Sequence, residues 1–137
     1  MAVSIHIDYE GGLRCIAVHG PSQQSFPTDA PADNNGKGES FSPTDLVATA
    51  LASCMATVIG IKAAQKGYDL PGMKVRVEKH MSEDLPRRIL RLPVVIEIPL
   101  PADHPDRPVL EAVALGCPVH HSIHPDIDKP VSFVWNG

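Results

Sequence analysis

The sequence predicts an α+β fold, with antiparallel sheet packed on helices. Two observations carry that prediction. One stretch, Ser42–Gly67, bears the full set of start, stop and apolar signals of a long buried helix. Around it stand short segments in which apolar and polar residues alternate with period two, Val3–Tyr9 and Met73–Glu78 among them. The resulting order β-β-α-β-β-α-β has more strands than helical crossovers, so antiparallel pairing is favoured. With 137 residues the chain is most simply one domain, 1–137, large enough to bury roughly two-thirds of its unfolded surface.

At the N-terminus, Val3, Ile5, Ile7 and Tyr9 alternate with Ser4, His6 and Asp8, the pattern of a half-buried strand. Gly11-Gly12 turns the chain into a second strand, Leu13–His19, with Leu13, Cys15 and Ala17 on one face and Arg14, Ile16 and Val18 on the other. Residues 20–41 are rich in turn formers (Pro21, Pro27, Pro31, Asn34-Asn35-Gly36, Gly38) and leave room for one short strand near Gln24–Thr28. A loop of that length is usually functional or pinned by a partner.

The helix begins where Ser42 can cap free amides, Pro43 fits the first position and Asp45 stands three residues after the cap. It stops at Gly67, just after Lys62 and Lys66, cations suited to a helix C-terminus. It spans roughly 36 Å at ~1.5 Å per residue. Leu46, Val47, Ala50, Leu51, Cys54, Met55, Val58, Ile59 and Ile61 leave little of its circumference polar. A helix apolar nearly all round is buried. One small sheet cannot cover that girth, so a second copy of the chain is expected to complete it, as a symmetric homodimer. Thr49, Ser53, Ala56 and Gly60 form a stripe of small side chains open to close approach.

Beyond the helix, Met73–His80 reads as the third strand and Ile89–Ile98 as the fourth, with Pro93 implying an edge position or a bulge. Pro99–Pro108 is a proline-rich connection, Val109–Gly116 a short helix and Val131–Trp135 the last strand. There is no internal repeat and no low-complexity tract.

Composition excludes several classes. Net charge is −4 and neither a basic run nor an aromatic platform is present, so nucleic acid is not an expected partner. The run Leu46–Ile61 is too short and too interrupted to suggest a bilayer span, and the N-terminus lacks the pattern of a signal peptide. Three cysteines without such a signal suggest a reducing, cytoplasmic setting in which thiols are structural, catalytic or metal-binding. Phosphate loops, His-Glu-x-x-His and Gly-x-Ser-x-Gly are absent, and no cofactor is called for.

Cys54 lies mid-helix among Val47, Ala50, Leu51, Val58 and Ile61, where a free cysteine is often just a small buried hydrophobe. Cys117 stands in Gly116-Cys117-Pro118 at a helix end, so the two are candidates for a peroxidatic and resolving pair. Cys15 reads as a packed strand residue. Cys117-x-x-His120-His121-x-x-His124 has metal-like spacing, yet Pro118 and Pro125 bracket it and no second ligand pair exists; no metal is assigned.

Together, Phe41-Ser-Pro-Thr-Asp-Leu-Val-Ala-Thr-Ala-Leu-Ala-Ser-Cys54-Met and Gly116-Cys117-Pro118-Val resemble the OsmC/Ohr superfamily of osmotically induced and organic-hydroperoxide-resistance proteins. Length and order of elements match over nearly the whole chain. The resemblance implies an OsmC-like fold, with antiparallel sheets packed on a long central helix in an intertwined homodimer. It implies a thiol peroxidase for organic hydroperoxides, serving oxidative or osmotic stress defence, with Cys54 peroxidatic, Cys117 resolving and Arg14 as the activating cation. An external dithiol, of lipoyl or thioredoxin type, would reopen the disulfide. Two positions depart from the family pattern. Thr44 stands where family peroxidases place Glu, with Asp45 one residue later, and Arg14 follows Gly11-Gly12 by one residue more than usual. The alternative reading is therefore a non-catalytic, stress-associated binding protein of the same fold. A third is a metal-stabilised protein using Cys117 and the histidines.

Overall fold

In the computed structural model, which describes residues 1–137, the alternating N-terminal segment becomes strand β1, Ile5–Gly11. It pairs antiparallel with β2, Arg14–His19, and β2 with β3, Ser25–Asp29, in a three-stranded sheet of order β1-β2-β3. The β1–β2 turn holds three successive left-handed residues, Gly11, Gly12 and Leu13 (φ 86°, 62° and 65°). Glycine adopts that conformation freely and leucine does not. The Leu13 amide is held by the Tyr9 hydroxyl at 3.3 Å, and the second strand opens at Arg14 rather than at Leu13. Ile5, Ile7 and Tyr9 share a face with Ala17 and Phe26, yet remain 62, 58 and 65% exposed. The half-buried strand read from the sequence is thus uncovered within a single chain.

After β3 the chain folds back on itself. The Asp29 amide donates to the Phe41 carbonyl at 3.0 Å, that of Gly38 to Ala30 at 3.1 Å and that of Gly36 to Pro31 at 3.0 Å. A Cβ at Gly36 would collide with the Ala30 carbonyl, so only glycine fits there. The chain forms two compact units, Met1–Leu46, which contains these elements, and Val47–Gly137.

Helix α1, Pro43–Gln65, begins with a reciprocal cap. The Ser42 hydroxyl accepts from the Asp45 amide at 3.1 Å, and the Asp45 carboxylate accepts from the Ser42 amide at 2.9 Å. Its far end is a Schellman stop: Tyr68 N–H bonds the Ala63 carbonyl and Gly67 N–H the Ala64 carbonyl, with Gly67 at φ 92°. Replacing Ser42, which is buried, by alanine is expected to cost about 1 kcal/mol of stability. A urea titration reads that as a lowered midpoint at unchanged slope, and an unshifted midpoint would show that the cap contributes nothing.

Ala48, Leu51, Ala52, Met55, Ile59 and Ala63 form the buried stripe of α1, at the spacing one helix face requires. On the opposite side Thr49, Ala50, Ser53, Thr57 and Ile61 are exposed. The expectation of burial all round is therefore not met within one chain. The whole helix is long and apolar enough to cross a bilayer, which the shorter run read from the sequence is not. In this fold its buried stripe forms core with Val94, Ile96 and Ile98 of β7 (Val94–Ile98) and Leu110 and Ala114 of α2 (Arg107–Leu115).

The C-terminal unit departs from the sequence reading in three ways. Met73–His80 is not one strand but β4, Lys74–Val77, and β5, His80–Met81. Likewise Ile89–Ile98 divides into β6, Ile89–Arg91, and β7. Both breaks have one cause. Val77 faces Val94 across the ladder, so Glu78 meets Pro93, whose carbonyl accepts from Glu78 at 3.1 Å while its nitrogen has no proton to return. Pro93 thereby ends a strand rather than marking an edge, and β7 is central in the order β4-β7-β8. Second, β8, Val131–Trp135, pairs parallel to β7, so this sheet is mixed rather than antiparallel. The long connection through α2 returns the chain in the same direction, as parallel pairing demands. Third, the histidine-rich segment contains a short helix α3, Pro118–Ser122. The observed fold class is mixed α+β.

Polar contacts lock this unit. Asp106 at the start of α2 accepts from Tyr68 at 2.8 Å and pairs with Lys66 at 3.2 Å. The Tyr68 hydroxyl is pushed up to about 12 by burial and by that carboxylate. Glu111 accepts from Arg107 at 2.8 Å and from the Trp135 indole at 2.9 Å, tying α2 to β8.

Candidate active site

Cys54 occupies the fourth turn of α1, one turn after Leu51 and one before Val58. It lies at the border between the buried and exposed sides of the helix and is itself half-buried. Cys117 is fully buried. It sits in extended backbone (φ −66°, ψ 149°) between α2 and α3, with Pro118 opening the next helix. Gly116 ends α2 and Pro118 supplies the pre-set φ of a first helical position, so Gly-Cys-Pro is a corner that points one side chain into the core. The Cys117 sulfur accepts from the His120 amide at 3.3 Å.

The fold brings these two thiols together. Cys54 is packed against the core that contains Cys117, so the two thiols are neighbours. Both are free. Burial pushes the Cys117 thiol up from its ordinary range, and the adjoining Cys54 adds to that. The backbone amides of His120 and Val119 pull the other way without overcoming it. Cys117 is therefore a neutral thiol at pH 7, shut from solvent, whereas Cys54 keeps an open side. Solvent therefore reaches Cys54 and not Cys117.

Arg14 opens β2 in the N-terminal unit, half-buried, opposite Gly11 and Asp29. Cys15 lies beside it in the same strand, between Tyr9 and Thr28. Asp45 is engaged in the helix cap, and the Thr44 hydroxyl lies 3.2 Å from that of Ser42. The histidines do not converge. His120 and His121 stand edge to face with centroids 6.0 Å apart, and His124 accepts from the Asp126 amide. His120 is held below the usual imidazole range by burial, with Lys129 and His121 adding to it. No three His, Cys, Asp or Glu side chains stand together as metal ligands. Sequence reasoning missed Asp29, a carboxylate only 1% exposed at the end of β3. Its burial depends on β2–β3 register, which no local pattern announces.

Comparison with known proteins agrees with the sequence motif. The model of the OsmC-like protein family matches residues 36–129, which includes α1 and both thiols. The chain belongs to the OsmC-like family. A crystal structure from Psychrobacter arcticus, of a protein assigned to osmotic stress induction and a detoxification response, is 44% identical. It covers 97% of this chain and 96% of its own at TM-score 0.90. The fold extends to more distant members. An organic hydroperoxide resistance protein OsmC from Legionella pneumophila is 15% identical over 98% of this chain and 97% of its own, TM-score 0.76. One from Elizabethkingia anophelis, an organic hydroperoxide resistance protein with thiocyanate bound, is 12% identical over 99% and 97%, TM-score 0.78. No functionally curated relative matches. Within this OsmC-like framework the thiol pair spans the helix motif and the Cys-Pro corner, the two sequence features that are specific in combination.

Proposed function

We propose that this OsmC-like protein is a cysteine-based peroxidase for organic hydroperoxides. The observation that carries the reading is the meeting of two free thiols 63 positions apart in sequence, one half-open on α1 and one buried at the Cys-Pro corner. In the first step the Cys54 thiolate attacks the terminal peroxide oxygen, the O–O bond breaks and an alcohol leaves, giving a sulfenic acid. Cys117 then attacks that sulfur, water leaves and a disulfide forms, which protects Cys54 from overoxidation. A dithiol of lipoyl or thioredoxin type reopens it by exchange. Arg14 is proposed to favour the thiolate and the leaving alkoxide. Val47, Leu51 and Val58 around Cys54 favour an organic peroxide over hydrogen peroxide. The reaction calls for no cofactor, and a cytoplasmic setting would keep the thiols reduced.

A specific observation favours the second reading, a non-catalytic binding protein. The position that holds Glu in family peroxidases is Thr44, and Asp45 is spent on capping α1. One experiment separates the two. Mass spectrometry after stoichiometric cumene hydroperoxide is expected to show loss of two hydrogens and a Cys54–Cys117 crosslinked peptide. Unmodified thiols would remove the peroxidase reading and leave the binding protein.

A further inference from the structure

Helix α2 ends at the Cys-Pro corner and begins at a carboxylate that faces the end of α1. Asp106 occupies the N-cap of α2, where an aspartate ordinarily accepts from the first amides of its own helix. Its side chain makes no such bond. Instead Oδ2 accepts from the Tyr68 hydroxyl at 2.8 Å, and Oδ1 pairs with the Lys66 ammonium at 3.2 Å. Lys66 and Tyr68 flank Gly67, the left-handed residue that stops α1. The His104 ring packs on Tyr68 with centroids 5.9 Å apart, and its Nδ1 accepts from the Asp106 amide at 3.1 Å. A capping residue turned from its own helix to a partner 38 positions away breaks a local rule, and such breaks are expected at functional sites. One turn further along α2, Glu111 accepts from the Trp135 indole at 2.9 Å. The helix is thus tied to α1 and then to β8 before it delivers Cys117.

We propose that Tyr68 and Asp106 are positioning residues for the resolving step, setting where α2 delivers Cys117 relative to Cys54. This deepens the peroxidase reading and rests on it for the use to which the thiol pair is put. The two thiols stand on different elements, Cys54 on α1 and Cys117 just beyond α2, so the placement of one helix on the other sets their approach. A disulfide requires Cβ atoms about 3.5–4.5 Å apart, which leaves little latitude. Burial of Leu110 and Ala114 keeps α2 in the core without a preferred direction, and packed helices slide by shear over apolar contacts. A charge-assisted hydrogen bond has a direction and removes that freedom. The Tyr68–Asp106 bond lies at the far end of α2 from Cys117, so it acts through the helix as a rigid rod and touches neither sulfur nor substrate.

The test is thiol–disulfide exchange with 2-hydroxyethyl disulfide, which needs no peroxide. The Cys54 thiolate attacks one sulfur of the reagent and releases 2-mercaptoethanol, leaving a mixed disulfide. Cys117 then displaces the second 2-mercaptoethanol and closes the protein disulfide, each cysteine proton passing to the thiol that leaves. The ratio of closed to mixed disulfide at known 2-mercaptoethanol, weighed by mass spectrometry, gives the effective concentration of Cys117 at Cys54. Tyr68→Phe should lower it on the order of tenfold, the loss of one charge-assisted hydrogen bond. In an Asp106→Ala background the same change should lower it no further. Lys66→Gln, which removes the more exposed tie to that carboxylate, should lower it less, and it serves if Tyr68→Phe does not fold. Ser42→Ala weakens α1 at its other end and should leave the effective concentration unchanged. With cumene hydroperoxide, Tyr68→Phe should form the Cys54 sulfenic acid at the wild-type rate while a dimedone-type trap captures more of it. An effective concentration unchanged in every folded variant of Tyr68 and Lys66, or lowered equally by Ser42→Ala, would overturn the positioning role. So would a Tyr68→Phe effect that persists in the Asp106→Ala background, or a wild-type protein that closes no disulfide in exchange. A wild-type protein that closes the disulfide, loses it in Tyr68→Phe and yet consumes no peroxide would sink the peroxidase reading alone and support the positioning of the pair.

Discussion

Cys54→Ser is expected to abolish peroxide consumption, whereas Cys117→Ser is expected to consume one equivalent per chain and stop. The asymmetry follows from placement. Cys54 stands half-open on α1 and Cys117 is fully buried beside it, so peroxide reaches the first thiol and not the second. Burial also keeps the Cys117 thiol protonated, and a thiol is a poor nucleophile until its proton has somewhere to go. Serine in place of Cys54 removes the nucleophile itself, so the loss is complete rather than partial. Serine in place of Cys117 leaves a sulfenic acid on Cys54, which a dimedone-type trap captures and mass spectrometry weighs. Cys15→Ser should change neither, since Cys15 lies in β2 between Tyr9 and Thr28. A first turnover lost in Cys117→Ser but kept in Cys54→Ser would reverse the assignment. Three variants indistinguishable from wild type would end the peroxidase reading.

Light scattering is expected to give twice the 14.7 kDa chain mass at micromolar concentration. Each unit presents an apolar or small-residue face that its own chain leaves open. In the N-terminal unit Ile5, Ile7, Tyr9 and Phe26 stand on one side of the sheet, all more than 40% exposed. In the C-terminal unit the outer side of α1 carries Thr49, Ala50, Ser53, Thr57 and Ile61. An exposed apolar sheet face together with an open helix face of small residues is what an obligate homodimer covers, and such interfaces bury more than ~2,000 Å² in total. Ile7→Glu should push the equilibrium toward monomer by placing a charge in the covered face. A folded 14.7 kDa monomer in the wild-type protein would sink the homodimer and leave both faces without an explanation.

Local chemistry made much of the fold legible. The reciprocal cap of Ser42 and Asp45 and the stop at Gly67 involve residues within a few positions of one another, so their sequence signature is also their geometry. Period two gave β1 and β2, and Val131–Trp135 appears at the predicted bounds. The candidate thiols were legible through a motif in which a helix pattern and a Cys-Pro corner occur together.

What the sequence by itself determined is thus the main elements, the caps of α1 and the candidate thiols, because each depends on neighbours along the chain. Tertiary structure decided the rest. Met73–His80 breaks because Glu78 is paired with Pro93, and β8 runs parallel because α2 and α3 intervene. Cys54 meets Cys117 because α1 and the Cys-Pro corner share one core, and Asp29 is buried opposite Arg14 because of β2–β3 register. Each of these is a contact between distant segments, whose free energy depends on which surfaces are buried together and not on the spacing of residues along the chain.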